Sequence, residues 1–342
     1  MYGGIDLHAR SLYVGILNQG GDIMVHHNLK ASPDALLKVM APDREDIVVA
    51  VEGLFPWYWV ADLCAREGIA FVLGHALSMQ AIHGGKAQND TSDAQKIAAL
   101  LRGGMRPQVY VYPAARRVTR DILRCRLHLT RQRAELLAHV QKTNSQYNLP
   151  ELRKQLAYKA KREGVAERFP DPAVQNRVEV DLALIDDDDR LLSDVELTIV
   201  RTATQHHAQT LYRLQSVPGI GKILSVGLLY EMHDLARFPR GQDFVSYCRL
   251  ITCAKESAGT RYGTSGAKIG KASLQWAFSE AAVLFWRNNP AGQKYLARLE
   301  NHHGKGKALT VLAHKLARAV YYMLKRDTAY AEVPHRGMER SG

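Results

Sequence analysis

YGGIDLHARSLYVGILNQGGDIMVHHNLK, residues 2–30, decides how the first part of the chain is read. Tyr2–Leu7 and Leu12–Leu17 have the apolar, β-branched look of strands, and His8–Ser11 is a polar break between them. Asn18-Gln19-Gly20-Gly21 is a turn, and Ile23–Leu29 makes a third strand. The stretch therefore predicts an antiparallel meander. Working outward, Ser32-Pro33-Asp34 is a helix start, with Ser as the cap and Pro in the first helical position. Ile47–Val51 is a β-branched run that reads as a buried strand, Pro56–Glu67 is helical, and Ile69–Leu73 is another short strand. Ala76–His83 is read as helical and Gly84–Asn89 as a loop. Asp90-Thr91-Ser92-Asp93 then opens a helix to about Arg102.

The order βββ-α-β-α-β-α is that of a ribonuclease-H-like (resolvase-type) α/β domain, placed at residues 1–110. Connection rules then put the first and fourth strands side by side and parallel. Residues 111–210 differ in character. From Ala114 to about Asn144 nothing breaks a helix, and Val118, Ile122, Cys125, Leu129 and Leu136 form a weak heptad seam. Val178, Ile185, Leu192 and Ile199 recur every seven residues in a second long helix. Asn148–Pro172 connects the two, and the Asp186–Asp189 run is read as a solvated face. The region is a coiled-coil-like, oligomerising one. Residues 211–327 form an all-α C-terminal domain ending in the helix Lys305–Lys325, with 328–342 a flexible tail.

The chain has 342 residues, and 46 Lys and Arg against 34 Asp and Glu leave a net charge of +12. That excess points to a polyanionic partner, nucleic acid first among them. Four scattered cysteines form no metal or disulfide framework. No basic-then-apolar leader and no membrane-length apolar stretch is visible, so a cytoplasmic location is expected.

Four carboxylates form the first constellation. Asp6 lies in the opening strand, and Glu52 ends the fourth. Asp90 and Asp93 share one face of a helix start. Gathered together they would repel one another unless cations neutralised them. Two divalent ions would do so and would clamp a phosphodiester, and all-oxygen ligands suit Mg²⁺ or Mn²⁺. Ser216–Lys222 (Ser-Val-Pro-Gly-Ile-Gly-Lys) has the helix-hairpin-helix pattern, in which Gly219, Gly221 and Lys222 would meet a DNA backbone. Lys255–Gly263 reads as a polar loop. In it Ser257, among Lys255, Arg261, Lys268 and Lys271, could attack a phosphodiester, with Ser265 a rival. Arg116, Arg120 and Arg124 share a helix face and, with Arg117, form a phosphate-tracking stripe.

Asp6, Val51-Glu52-Gly53 and Asn89–Ala94 resemble the acidic tetrad of the DEDD-type transposases of the insertion-sequence-110 family. Val217–Gly221 and Glu256-Ser257 resemble that family's C-terminal transposase domain. The likeness spans about residues 2–327. It implies a site-specific DNA recombinase with a metal-binding tetrad (Asp6, Glu52, Asp90, Asp93) and a serine nucleophile at Ser257 that links covalently to DNA. It also implies assembly as a dimer or tetramer and a structured noncoding guide RNA, through which base pairing would carry specificity. One departure is that Ala258 stands between Ser257 and Gly259, where the family places glycine soon after the serine. The alternative function is a metal-dependent junction-resolving nuclease that forms no covalent intermediate.

Overall fold

A computed structural model describes residues 1–53, 56–75, 90–104, 108–152, 155–251, 253–257, 260–265, 270–287 and 289–330. Side chains at 90–92, 253–257, 261–265 and 303 lie outside the described set. The chain divides into two compact units, Met1–Ala114 and Ala115–Gly342.

In the first unit the meander is present as expected. Strands β1 (Tyr2–Leu7), β2 (Ser11–Leu17) and β3 (Ile23–Lys30) pair antiparallel. The β2–β3 turn is held by the Asn18 carboxamide oxygen, which accepts from the amides of Gly21 (2.8 Å) and Asp22 (2.9 Å). Ser32 caps helix α1 (Pro33–Met40), its hydroxyl accepting from the Ala35 amide. Strand β4 (Val48–Glu52) lies parallel to β1, helix α2 spans Tyr58–Glu67, and β5 (Ala70–Gly74) lies parallel to β4. The sheet order is β3-β2-β1-β4-β5, which places the first and fourth strands side by side as the element order requires.

Both faces of this sheet are covered. Ile5, Val14, Val49 and Val51 pack with Leu36 and Met40 of α1 and with Val60, Leu63 and Cys64 of α2. Ala50, Tyr2, Val48 and Val72 pack with Ile97, Leu100 and Leu101 of helix α3 (Asp90–Arg102). The helix expected at Ala76–His83 and the loop at Gly84–Asn89 lie outside the described residues.

The second unit carries two long helices, α4 (Ala114–Gln146) and α5 (Pro172–Gln215). They run antiparallel. Arg126 pairs with Glu196 (2.7 Å), Arg133 with Asp189 (2.5 Å) and His139 with Asp181 (2.8 Å), so partners advance on one helix as they retreat on the other. Val140, Val178 and Ile185 are buried between them, plugged at the closed end by Leu152, Leu156 and Phe169 from the connection. The predicted α5 seam holds at Val178, Ile185 and Ile199, all fully buried. The α4 seam does not: Val118 is 63% exposed and Cys125 is exposed, whereas Arg117, Thr119 and Arg120 are buried. The first turns of α4 pack Ile122 and Leu123 onto the C-terminal core, and that packing rotates a polar face inward.

The Asp186–Asp189 run is not a solvated face. Arg162, buried in the connection, pairs with Asp186 and with Asp189 (2.6 Å) and donates from Nε to the Leu156 carbonyl (2.9 Å). Asp188 is buried as well, and its carboxyl is pushed above the usual range by burial and then by Asp189. Only Asp187 of the run points well out into water.

Helices α6 (Lys222–Met232), α7 (Gly241–Tyr247), α8 (Ala272–Arg287), α9 (Pro290–His303) and α10 (Lys305–Lys325) enclose the C-terminal core. Phe244, Phe278, Leu312, Leu316 and Tyr321 lie at its centre, and the Tyr321 hydroxyl donates to the Phe238 carbonyl (2.8 Å). A flexible tail is expected from 328, but residues 328–330 are held against the C-terminal core. The Tyr330 amide donates to the Ser216 hydroxyl (2.9 Å), and its buried ring meets Phe285. Among the described residues no helix is long and apolar enough to cross a membrane.

Removing Arg162 empties a buried site and leaves Asp186 and Asp189 with only Lys159 and Arg133 as ion-pair partners among the described residues. Arg162→Ala is expected to cost about 3 kcal/mol in urea unfolding, while Asp187→Ala stays within about 0.5 kcal/mol. Equal effects of the two would contradict the assignment of Arg162 as the anchor of this connection.

Candidate metal centre and nucleic-acid residues

The register Ile5↔Val51 makes the next residues, Asp6 and Glu52, neighbours at the same end of β1 and β4. Side chains alternate across a strand. Asp6 therefore shares a face with Gly4, and Glu52 with Ala50, which is the face that α3 covers. Helix α3 lies almost on the β1 backbone. A Cβ at Gly4 would collide with the Ala94 carbonyl oxygen and the Ala98 amide. Ala94 over Gly4 brings the start of α3, with Asp93, to the strand end that carries Asp6.

The electrostatics agree with this placement. The Glu52 carboxyl is held above its ordinary range, first by burial and then by the charges of Asp6 and Asp93. Asp6 Oδ2 lies 3.3 Å from His8 Nε2, and Asp93 Oδ1 lies 2.7 Å from Lys96 Nζ. The Asp90 side chain is outside the described residues, though its backbone opens α3. Among the described residues no group of three or more His, Cys, Asp or Glu side chains is assembled in a metal-holding arrangement. The chemistry of the donors nonetheless fits a hard cation. All are carboxylate oxygens, and a divalent ion would relieve the repulsion that raises Glu52.

In the second unit, the expected polar loop around Ser257 is a β-hairpin. Strand β6 (Cys253–Ser257) pairs with β7 (Thr260–Ser265), from Cys253↔Ser265 at the base to Ser257↔Thr260 beside the turn. Thr260, Tyr262 and Thr264 are the β-favouring residues that a reading for loop polarity undervalued. The two rival serines are thereby separated, Ser257 near the tip and Ser265 at the base. The base is clamped: the Lys271 amide donates to the Tyr247 carbonyl (2.7 Å), and Arg249 Nε donates to the Gly270 carbonyl (2.9 Å). The side chains of Lys255, Ser257 and Arg261, and all of Lys268, lie outside the described residues.

The arginine stripe needs correction. Arg117 and Arg120 are buried, Arg116 is half-buried, and only Arg124 is exposed, paired with Asp121 (2.9 Å). Arg120 Nη2 lies 3.4 Å from Glu231 Oε2, and Lys271 Nζ reaches the same oxygen at 3.2 Å. Burial, followed by the field of Arg120, draws the Lys271 ammonium below its ordinary range, against the opposing pull of Glu231. Sequence reading passed over Glu231. Its signal was one carboxylate set into the apolar run Leu228–Met232.

Between α5 and α6, Gly219 has φ +88 and faces α8 so closely that a Cβ would strike the Phe285 amide and the Ala281 carbonyl. It is a packing glycine. Gly221 and Lys222, in contrast, are exposed, and Gly221 precedes α6 with no side chain capping the helix.

Residues 211–297 match the family model described as Transposase IS116/IS110/IS902 family. The matched segment holds the Gly219–Gly221 turn, Glu231, the Ser257 hairpin and Lys271. It supports a transposase, an enzyme of mobile DNA that acts on DNA. No curated protein matches the chain.

Two outcomes follow from the first unit. Gly4→Ala forces α3 off the sheet and is expected to cost about 2 kcal/mol or more in thermal unfolding. Glu52 binds its proton more tightly folded than unfolded, so its contribution to stability falls as pH rises above its ordinary value of 4.5. Glu52→Gln is therefore expected to raise the melting temperature of the metal-free protein at neutral pH and to leave it unchanged at acid pH. A lower neutral melting temperature would contradict the crowding of the three acids.

Proposed function

We propose that this chain is an insertion-sequence transposase that cuts and rejoins DNA. The observation that carries the reading is the transposase-family match over residues 211–297. The finer reading adds that the first unit is a ribonuclease-H-like domain, in keeping with its strand order and the parallel β1–β4 pair. In it Asp6, Glu52, Asp90 and Asp93 would hold Mg²⁺ or Mn²⁺. Such an ion, when bound, supplies positive charge to phosphate oxygens and acidifies water.

The remaining chemistry belongs to side chains. Ser257 Oγ would attack phosphorus, forming an O–P bond while the bond from phosphorus to one deoxyribose oxygen breaks. The serine proton passes to solvent or a nearby base, and the released sugar oxygen takes up a proton. Rejoining reverses this with the hydroxyl of another strand. Ser257 sits beside the turn of the β6–β7 hairpin, at the opposite end from Ser265, a place open to a strand in this reading. Lys255, Arg261, Lys268 and Lys271 would offset the charge that gathers on phosphorus-bound oxygens. The exposed Gly221–Lys222 start of α6 would meet the DNA backbone as a helix-hairpin-helix does. Assembly as a dimer or tetramer and guidance by a structured noncoding RNA complete the reading.

Denaturing gels of the full chain with labelled element-end DNA and Mg²⁺ provide the test. A protein–DNA adduct is expected from wild type and from Ser265→Ala, and none from Ser257→Ala or Asp6→Asn. Cleavage that persists in Ser257→Ala without an adduct would replace transposition by the junction-resolving nuclease reading.

A further inference from the structure

The C-terminal end of α6 is where charge collects in the second unit. Glu231 is buried there with Arg120 and Lys271 on one of its oxygens. One residue earlier, the Tyr230 ring carries the Arg116 guanidinium at 5.3 Å and meets the His207 ring edge-on at 6.1 Å. His207 sits at a kink in α5, with φ −144 and ψ 33. His233 ends α6 with φ 54. Arg237 lies over the rings of Phe238 (4.6 Å) and Tyr247 (4.7 Å), which packs at the hairpin base beside Lys271.

Part of this gathering has an ordinary cause. A helix C-terminus is worth about half a negative charge, and Glu231 adds a full one. Among the described residues, Arg116, Arg120, Arg237 and Lys271 exceed both, and the additional acid acting on His233, Asp234, is exposed. The histidines register the surplus. His207 is held below its ordinary pKa by burial, then by Arg116, His206 and His233. His233 is lowered by burial, then by Arg116, Arg237 and Arg120, against Asp234. The fields of Arg116, Arg120 and Arg237 on His233, and of Arg116 on His207, mark these groups as neighbours in one half-buried place.

We propose that Arg116, His207, His233 and Arg237 bind one backbone phosphate of a nucleic acid, with Arg120, Glu231 and Lys271 as the buried scaffold behind them. The proposal rests on the nucleic-acid reading above; it keeps Arg116 of the expected stripe and adds His207, His233 and Arg237, which that stripe did not include. A phosphodiester stays singly negative across the working pH range, so seating it favours the imidazolium forms. Binding then takes up protons. Duplex affinity rises as pH falls through the histidine range, near 6.5 and below.

The test is anisotropy of a labelled DNA duplex bound by the full chain in chelator, across salt and pH. Arg116→Gln with Arg237→Gln is expected to weaken binding roughly tenfold and to flatten the salt slope by about one to two. The matching lysine pair restores most of both. His207→Gln with His233→Asn is expected to keep the affinity at alkaline pH and lose the strengthening in acid. Unchanged affinity and slope in the glutamine pair would overturn the site, as would a loss that lysine does not rescue. Acid strengthening that survives both histidine changes would do the same. If inorganic phosphate raises the melting temperature only when both arginines are present, while the glutamine pair binds duplex normally, the site takes free phosphate and the backbone assignment fails. The adduct test reads chemistry on element-end DNA with Mg²⁺, whereas this one reads duplex binding in chelator. Failure of the adduct test therefore leaves this one standing, and failure here leaves the adduct test untouched.

Discussion

Helix α3 can lie on β1 because residue 4 has no side chain. Any Cβ there would meet the helix backbone. Two consequences follow from that single approach. The helix seals one face of the sheet through Ile97, Leu100 and Leu101, and its first turn arrives where Asp6 and Glu52 end their strands. The apolar contact is favourable and the electrostatic one is not, since Glu52 is crowded by Asp6 and Asp93. The fold thus uses burial to hold like charges near one another. Such crowding is what the proposed Mg²⁺ or Mn²⁺ would relieve.

The second unit repeats the theme with the opposite sign. Glu231, inside an apolar helix, draws Arg120 and Lys271 into places that charged groups rarely occupy. Desolvating three charges is expensive, and their mutual attraction offsets that cost only when the geometry is kept. The cluster therefore ties α4, α6 and the start of α8 to a fixed arrangement. Just before α8, the Lys271 amide is held by the Tyr247 carbonyl and the Gly270 carbonyl by Arg249, so the scaffold is tied to α7 as well.

Much of the candidate site could be read from local pattern. Asp6 stands in a strand and Asp90 and Asp93 at a helix start because periodicity and capping residues declare those elements. The arginines were misjudged for a reason that pattern cannot supply. Four-residue spacing says that Arg116, Arg120 and Arg124 share a face, but not whether that face meets water or Glu231, 111 residues away. The same holds for Asp186–Asp189, which looks solvated until Arg162 is folded against it. At the Ser257 hairpin, loop-like polarity outweighed the β-favouring alternation of Thr260, Tyr262 and Thr264.

The amino-acid sequence by itself determined the meander, the long helices, the basic character and the positions of the four acids along their elements. These follow from short-range propensity and from charge, which act over a few residues. Tertiary structure alone decided which arginines are buried, which aspartates are paired, and that two serines of one segment stand at opposite ends of a hairpin. Burial and ion pairing depend on partners far along the chain, and only the packed fold brings those partners within reach.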